Sequence, residues 1–394
     1  MTAQTVHESL FESAVFPMAP IGSIVVERNE KVSETDFPAL SVGKLGVTPQ
    51  LAGVAKSQSE GDRKLVRAGD LVINSRSDRR GASGLAHQDG SVSVVYSVMT
   101  PKPDLLVAEY GHHLLRSTPF QDEFFRWGTG IVDDLWSTNF TRMSRIRVPL
   151  PPKGVQRQLA ARLDKTDAMI ARLDDLAGIL RVRRTATWST VHEMGFQPVK
   201  LQWLMREIDH RAGDQNMDLP LLSVSIHHGV QLRGDSPSGQ QAGADLSKYK
   251  VALAGDIVVN RMRAFQGGLG QVRVDGLVSP DYAVLRPEAV LTPSWAEYVM
   301  RSPKFIEEMA QWVRGIGGAD QGNVRTPRIN VRDLLALSIP LPPADELHRV
   351  TAHLDELTGR IDDMLTKLAS LRELLVERSS AFLLDVVTGR KEIA

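Results

Sequence analysis

The sequence predicts an α/β (α+β) chain: two similar mixed domains separated by a pair of long antiparallel coiled-coil helices, with an internal pseudo-two-fold repeat. Three observations predict it. A proline signal followed by a helix start is written twice, each copy runs on with heptad spacing, and the segments before the two copies match weakly. Internal repeats decide architecture before any local reading does. At 394 residues the chain also suits two or three domains of ~100–200 residues better than one core. The expected parts are a first domain over 1–150, a first helix over 151–194, a second domain over 195–341 and a second helix over 342–394.

"IRVPLPPKGVQRQLAARLDKTDAMIARL" begins at Ile146 and "LSIPLPPADELHRVTAHLDELTGRIDDML" at Leu337. Pro149 aligns with Pro340, an offset of 191 residues, and at that offset Leu163, Asp164 and Ile170 meet Leu354, Asp355 and Ile361. Upstream, "AGDLVINSR" (Ala68–Arg76) parallels "AGDIVVNRM" (Ala254–Met262) at an offset of 186, which also aligns Tyr96 and Pro101 with Tyr282 and Pro287. "RSTPFQDEFFRWGTGI" from Arg116 parallels "RSPKFIEEMAQWVRGI" from Arg301, with Trp127 opposite Trp312.

The helices are read from apolar residues at alternating steps of three and four, the signature of a coiled-coil seam. In the first they are Leu159, Leu163, Ile170, Leu173, Ala177 and Leu180, with Thr166 filling the missing position. In the second they are Val350, Leu354, Leu357, Ile361, Met364, Leu368, Leu371 and Leu375. The Pro-Pro pairs stop the preceding strand, and proline's fixed φ suits a helix start just after. A helix of about 40 residues is ~60 Å long. If the seams bury each other, the second helix returns antiparallel to the first.

Composition excludes several classes. Hydrophobic residues at 42% and charged residues at 24% are ordinary globular values. No run approaches the ~20 apolar residues of a membrane span, and the first residues lack a signal-peptide pattern, so a cytoplasmic chain is expected. Without cysteine there are no disulfides, thiolate metal sites or cysteine nucleophiles. A net charge of zero means that any nucleic-acid binding uses local patches instead of an overall basic field.

Two kinds of patch recur. Each Gly-Asp turn introduces a short β-branched strand that ends in asparagine, followed by a stretch rich in Gly and Arg: "SRSDRRGASG" (Ser75–Gly84) and "RMRAFQGGLG" (Arg261–Gly270). Glycine lets backbone approach a surface closely, and arginine grips phosphate or a guanine edge. Polar, basic stretches precede both Pro-Pro signals: "STNFTRMSRIR" (Ser137–Arg147) and "GADQGNVRTPRINVR" (Gly318–Arg332). The candidate DNA-contacting residues are Asn74, Arg76, Arg79, Arg80, Ser83, Arg142 and Arg145 in the first half, and Asn260, Arg261, Arg263, Gln266, Asn323 and Arg325 in the second. Solvated hairpin loops and plain connectors into the last strand are the competing readings of these stretches.

Catalytic signatures are missing. The sequence has no G-x-x-x-x-G-K-[ST] phosphate loop and no Asn/Asp-Pro-Pro-Tyr/Phe tetrapeptide of amino-methyltransferases. In "PDLLVAEYG" (Pro103–Gly111), Gly111 stands where a nuclease motif needs lysine. His112-His113 and His227-His228 are adjacent pairs, and "HEMGF" at His192 lacks a second histidine, so none has metal-site spacing. Surface or capping histidines are expected, with no metal and no cofactor.

Two variable domains, each closed by "P-L-P-P" and a heptad helix, resemble the specificity (S) subunit of a type I restriction-modification system. The resemblance covers nearly the whole chain. It rests on Pro149–Pro152 with Gln156, Arg157, Leu163 and Asp164, and on Pro340–Pro343 with Glu346, Arg349, Leu354 and Asp355. It implies a non-catalytic chain whose two target-recognition domains each read one half of a bipartite site in double-stranded DNA. The helices would space the domains and dock two methyltransferase subunits, to which two restriction-translocase subunits add. S-adenosylmethionine would bind on another chain. "ADELHRV" is more acidic than "KGVQRQL", so the two docking surfaces would differ. A coiled-coil adaptor with protein-binding ends fits the duplication and heptads equally well but has no need of Gly-Arg stretches at matching positions.

Overall fold

The computed structural model describes residues 14–33, 36–43, 46–50, 63–76, 81–129, 137–213, 218–235, 245–312 and 328–392. The chain divides into two compact units, Met1–Asp174 with Ala369–Ala394, and Asp175–Leu368. The division passes through both long helices, so each unit holds a part of each.

In the first unit, strand β1 (Met18–Pro20) and the short helix α1 (Ile21–Ile24) lead into β2 (Val25–Glu27), β3 (Lys31–Val32), β4 (Leu40–Gly43), β5 (Gly46–Pro49), β6 (Arg63–Val66), β7 (Leu71–Asn74), β8 (Ser83–Leu85), β9 (Gly90–Val92) and β10 (Tyr96–Pro101), followed by helices α2 (Ala108–Arg116), α3 (Thr118–Arg126) and α4 (Phe140–Met143) and then by strand β11 (Arg147–Pro149). The central sheet runs β2-β10-β7-β8, all antiparallel. All four residues of "LVIN" in β7 are buried, because the sheet is covered on both faces. Leu71 and Ile73 face a core shared with Tyr110, Leu114 and Phe120 of the helices. Val72 faces a second core with Leu40 and Val42 of the β4-β5 hairpin.

The second unit repeats this plan. Strands β12 (Gln197–Lys200), β13 (Met205–Ile208), β14 (Leu222–Ser225), β15 (Gly229–Leu232), β16 (Lys250–Ala252), β17 (Ile257–Val259), β18 (Leu269–Gln271), β19 (Gly276–Val278), β20 (Ala283–Pro287) and β21 (Ser338–Leu341) pack with helices α6 (Pro293–Met300), α7 (Pro303–Ala310) and α8 (Val331–Ala336). In the numbering that places α5 (Lys153–Ser189) before this set and α9 (Ala344–Val387) after it, the sheet order β13-β20-β17-β18 matches β2-β10-β7-β8. The register repeats too: Val98 pairs with Val72 and Val284 with Val258, each 186 residues on. The weak sequence matches therefore mark a structural duplication of the central sheet among the described residues.

The repeated Ala-Gly-Asp is a structural turn. Gly69 and Gly255 have φ of 95° and 96°, which favours glycine. The buried carboxylates of Asp70 and Asp256 accept backbone N–H bonds from Arg67 and Leu253, both at 2.9 Å. A guanidinium holds each acid, but from different strands. Arg28, just past β2, reaches Asp70 at 2.7 Å, and Thr100 donates to the same carboxylate. In the second unit Arg286 of β20 reaches Asp256 at 2.8 Å.

Each proline signal is anchored by a buried aromatic donor. Tyr110 Oη donates to the carbonyl of Pro149 (2.9 Å), and Trp295 Nε1 donates to that of Pro340 (2.8 Å). Further into each long helix, the repeated aspartate binds the domain beside it: His113 Nε2 lies 2.7 Å from Asp164, and Tyr298 Oη donates to Asp355. The duplicated Leu-Asp pair is thus half core residue and half domain anchor.

Within each unit the two long helices pack antiparallel. In the first, Asp174 meets Arg372 (2.8 Å), and Arg162 lies over the ring of Phe382; in the second, Arg184 meets Asp362 (2.6 Å). On α5 the expected seam residues Leu159, Leu163, Ile170, Ala177 and Leu180 are buried and Leu173 is half-buried. On α9 Leu354 and Ile361 are buried, while Leu368 and Leu375 are half-buried.

The other half of that seam differs from expectation. Leu371 is 43% exposed and Met364 42%, Val350 and Leu357 are half-buried, and the buried flank carries Leu347, Thr351 and Thr358 instead. Both flanks of the Leu354–Ile361 line have apolar content, and the threonines can be buried because their hydroxyls bond back to the carbonyls of Leu347 (2.7 Å) and Leu354 (2.6 Å) and also meet the hydroxyls of Thr292 (3.2 Å) and Tyr298 (3.1 Å).

The histidine pairs divide. His227 and His228 lie at the β14-β15 turn, where His227 is exposed. His113 is buried, contrary to a surface reading, and His112 Nδ1 accepts the backbone N–H of Leu85 at 3.0 Å. His112, His113 and Asp167 bring possible ligand atoms within 4.8 Å of one another. The Arg116 guanidinium stands among them, 2.9 Å from His112 and 2.8 Å from Asp167, where it neutralises the acid as a bound cation would.

Burial, with the nearby charges of Arg116, His113 and His87, pushes His112 down to about 3. The unfolded imidazole titrates near 6.5. The unfolded chain therefore binds the extra proton, and this contribution to stability is fully present above pH ~6.5 and drains away as pH falls toward 3. Denaturant melts between pH 7 and 5 should show a shallower loss for His112→Asn, which keeps an acceptor for Leu85 without titrating. Equal slopes for the two proteins would refute this.

Candidate nucleic-acid interface

The two patches singled out in the sequence meet in space. In the first unit the backbone N–H of Thr138 donates to the carbonyl of Ser75 at 3.0 Å; in the second that of Ile329 donates to the carbonyl of Arg261 at 3.1 Å. The pairs correspond by the two repeat offsets, since 138 to 329 is 191 and 75 to 261 is 186. In both copies the exit of the central strand is therefore stitched to the stretch before the Pro-Pro signal.

This junction opens a cleft of about 410 Å³ in the first unit, lined by Lys64, Arg76, Tyr96, Ser137, Asn139 and Phe140, with Glu27 on its wall. Arg76 is exposed. On the neighbouring surface Arg142 and Arg145 share an open cleft of about 500 Å³ with Arg126, Trp127 and Glu123. Asn139 orients this arginine pair by capping α4, its side chain accepting the backbone N–H of Arg142 at 3.1 Å. Arg126 is tied to Glu123 at 2.6 Å. Arg76, Arg142 and Arg145 thus stand where the sequence pattern puts them, on surface clefts.

Other candidates are placed differently. Asn74 and Asn260 are buried at their strand ends and each accepts the backbone N–H two residues on, Arg76 at 3.0 Å and Met262 at 3.2 Å. They are turn-formers, as asparagine often is. Asn260 also donates to Tyr282 Oη at 3.3 Å. Ser83 is fully buried within β8, out of reach of a ligand at the surface. Arg261 is half-buried, its Nε donating to the carbonyl of Ile329 at 3.0 Å, so it braces the junction. Arg263 and Gln266 are exposed. Arg79, Arg80, Asn323 and Arg325 lie outside the described residues.

Gly84 ends the first Gly-Arg stretch inside a strand. A Cβ there would lie 2.6 Å from the Cα of Gly46, and one on Gly270 would lie 2.8 Å from the backbone N of Val230. In both copies it is the neighbouring hairpin that needs the glycine. Lys64 was not singled out in the sequence, because a lone lysine on a strand carries no local pattern, while Asn139 and Phe140 lie inside the Ser137–Arg147 stretch but were not among its candidates. Tyr96 and Trp127 are matched across the repeat in the sequence, and that match is the signal that could have placed them at the site.

No family model and no curated protein matches the chain. Among solved structures, a chain from a study of the complex assembly and conformational transition of the type I R-M system aligns over 95% of this chain and 97% of its own, with a TM-score of 0.53 and 17% identity. The HsdS subunit of Thermoanaerobacter tengcongensis (18% identity, TM-score 0.39) and the type I restriction-modification S subunit of M. genitalium (11%, 0.49) align over 95% and 93% of this chain, and over 97% and 96% of their own. The first of these alignments shows that the chain shares the fold of that structure over 95% of its length. Among the described residues, no helix is long and apolar enough to cross a membrane.

Proposed function

We propose that the chain is the non-catalytic DNA-specificity subunit of a type I restriction-modification complex. Each globular domain reads one half of a bipartite site in double-stranded DNA, and the paired helices set the gap and dock methyltransferase subunits. The observation that carries this reading is the stitched junction, which unites an arginine-bearing strand exit with a second polar segment at matching places in two copies of one fold. An adaptor that binds only proteins has no use for that recurrence. In this reading Arg76, Arg142 and Arg145 face DNA in the first half, and Arg263 and Gln266 in the second.

Duplex binding measured against salt concentration separates the two readings. Phosphate contacts make affinity fall steeply with salt. Arg142→Ala with Arg145→Ala should weaken binding to every sequence and lower the log–log slope by about one for each phosphate left without its arginine. Affinity that does not vary with salt would favour the adaptor. An unchanged slope in the double variant would assign phosphate gripping to other residues.

The spacing role has its own test. One heptad inserted after Leu173 and one after Met364 preserves the seam and lengthens the helix pair by ~10 Å. Methylation mapping in cells carrying the complete system should then report unchanged half-sites with a gap longer by roughly three base pairs, and weaker modification because three base pairs also turn the groove by about 100°. Altered half-site bases, or the original gap at full efficiency, would sink the ruler.

A further inference from the structure

The second unit contains a cavity of about 420 Å³ where α5, α6, α9 and the β14-β15 hairpin meet, and among its lining residues are Arg184, Trp188 and Arg301. Trp188 is 7% exposed, and its indole Nε1–H has no hydrogen-bond partner among the described residues; the buried Nε–H of Arg184 also has none among them. Each guanidinium lies over the Trp188 ring, at 5.1 Å for Arg184 and 4.8 Å for Arg301. A buried donor without an acceptor is destabilising, so two on one cavity call for an acceptor.

The surrounding acids are already engaged. Glu297 lies between Arg273 and Arg301 at 3.2 Å from each, Asp362 is paired with Arg184, and Asp355 accepts from Tyr298. The groups left over are donors. Burial, with the neighbouring charges of Arg184, His227, Arg181 and Arg301, disfavours the protonated form of His228. The duplicated fold does not require this arrangement. At the helix offset of 191, Leu375 and Ser379 stand in the first unit where Arg184 and Trp188 stand in the second.

We propose that this cavity binds one small phosphate-class oxoanion, whose oxygens accept from Trp188 Nε1 and Arg184 Nε. The site is independent of the DNA reading. Arg184 and Arg301 also donate to the carbonyl of His227, at 2.8 and 3.1 Å, so a bound anion would fasten the hairpin turn to the helices.

The test titrates inorganic phosphate into the full chain at constant ionic strength, with chloride as control, and follows tryptophan indole N–H resonances by nitrogen-15 NMR and heat by calorimetry. Of the six tryptophans, one indole should shift saturably with a stoichiometry of one anion per chain, and that resonance should vanish in Trp188→Phe. Trp188→Phe and Arg184→Lys should each weaken binding by about tenfold, the worth of one hydrogen bond to a charged group. A short duplex in place of phosphate is the second arm: a response to duplex without one to inorganic phosphate would overturn the small-anion site. If neither ligand shifts an indole saturably in the wild-type chain, or if binding is unchanged in whichever variant folds, the proposal is overturned.

Discussion

Ile361→Asp is expected to disrupt the folded chain, with a loss of several kcal/mol. Ile361 is 4% exposed on the buried face of α9, and an aspartate there must either stay ionised without a partner or bind a proton to remain inside. Denaturant melts at pH 7 should show the loss, and melts at pH 4 a smaller difference from wild type, because protonation removes the charge. Met364→Asp, three residues on and 42% exposed, serves as the control and should cost little. A small effect at Ile361, or equal effects at both positions, would refute the observed seam and restore the one expected from heptad spacing.

Gly84→Ala and Gly270→Ala should each be damaging out of proportion to one methyl group. The added carbon falls 2.6 Å from Gly46 Cα in one copy and 2.8 Å from Val230 N in the other. Backbone must move in both cases, since the nearest atom is main chain and cannot swing aside. Overpacking of this kind costs typically about 1–3 kcal/mol. Gly154→Ala, on the exposed first turn of α5 with nothing within 4 Å of its added carbon, provides the contrast and should be neutral or mildly stabilising. A Gly84→Ala chain with wild-type melting would mean that the β4-β5 hairpin does not pack as described. If such a chain instead folds normally but loses duplex binding, the glycine serves ligand approach after all.

The duplication, the long helices and the short β-branched strands after the Gly-Asp turns were legible because each is written in a period or a repeat that survives divergence. The α9 seam was half legible. Leu354 and Ile361 announce it, but heptad spacing alone cannot choose between Leu357 and Thr358, and hydropathy favours the wrong one, since a threonine's hydroxyl counts as polar until a carbonyl four residues back accepts from it. The candidate interface was legible as two segments and illegible as one place. Nothing local connects Ser75 to Thr138, and only the fold brings their backbones to 3.0 Å. Asn74, Asn260 and Ser83 look like surface groups by residue type, whereas a strand end and a covered sheet turn them inward.

The buried acid of the Ala-Gly-Asp turn carries a consequence for descent. After duplication the two copies kept the carboxylate and parted over its base: Thr100 and Arg28 serve Asp70, while Arg286 serves Asp256. By strand register Thr100 is the counterpart of Arg286, and Arg28, one residue past β2, is the counterpart of Ile208 at the end of β13. Arg286→Thr therefore installs a residue that is native in the sister copy, yet it leaves Asp256 buried without its cation. Adding Ile208→Arg supplies the missing partner. Each copy has become the wrong background for the other's amino acids, and the exchange depends on order: the new arginine has to arrive before the old one is lost.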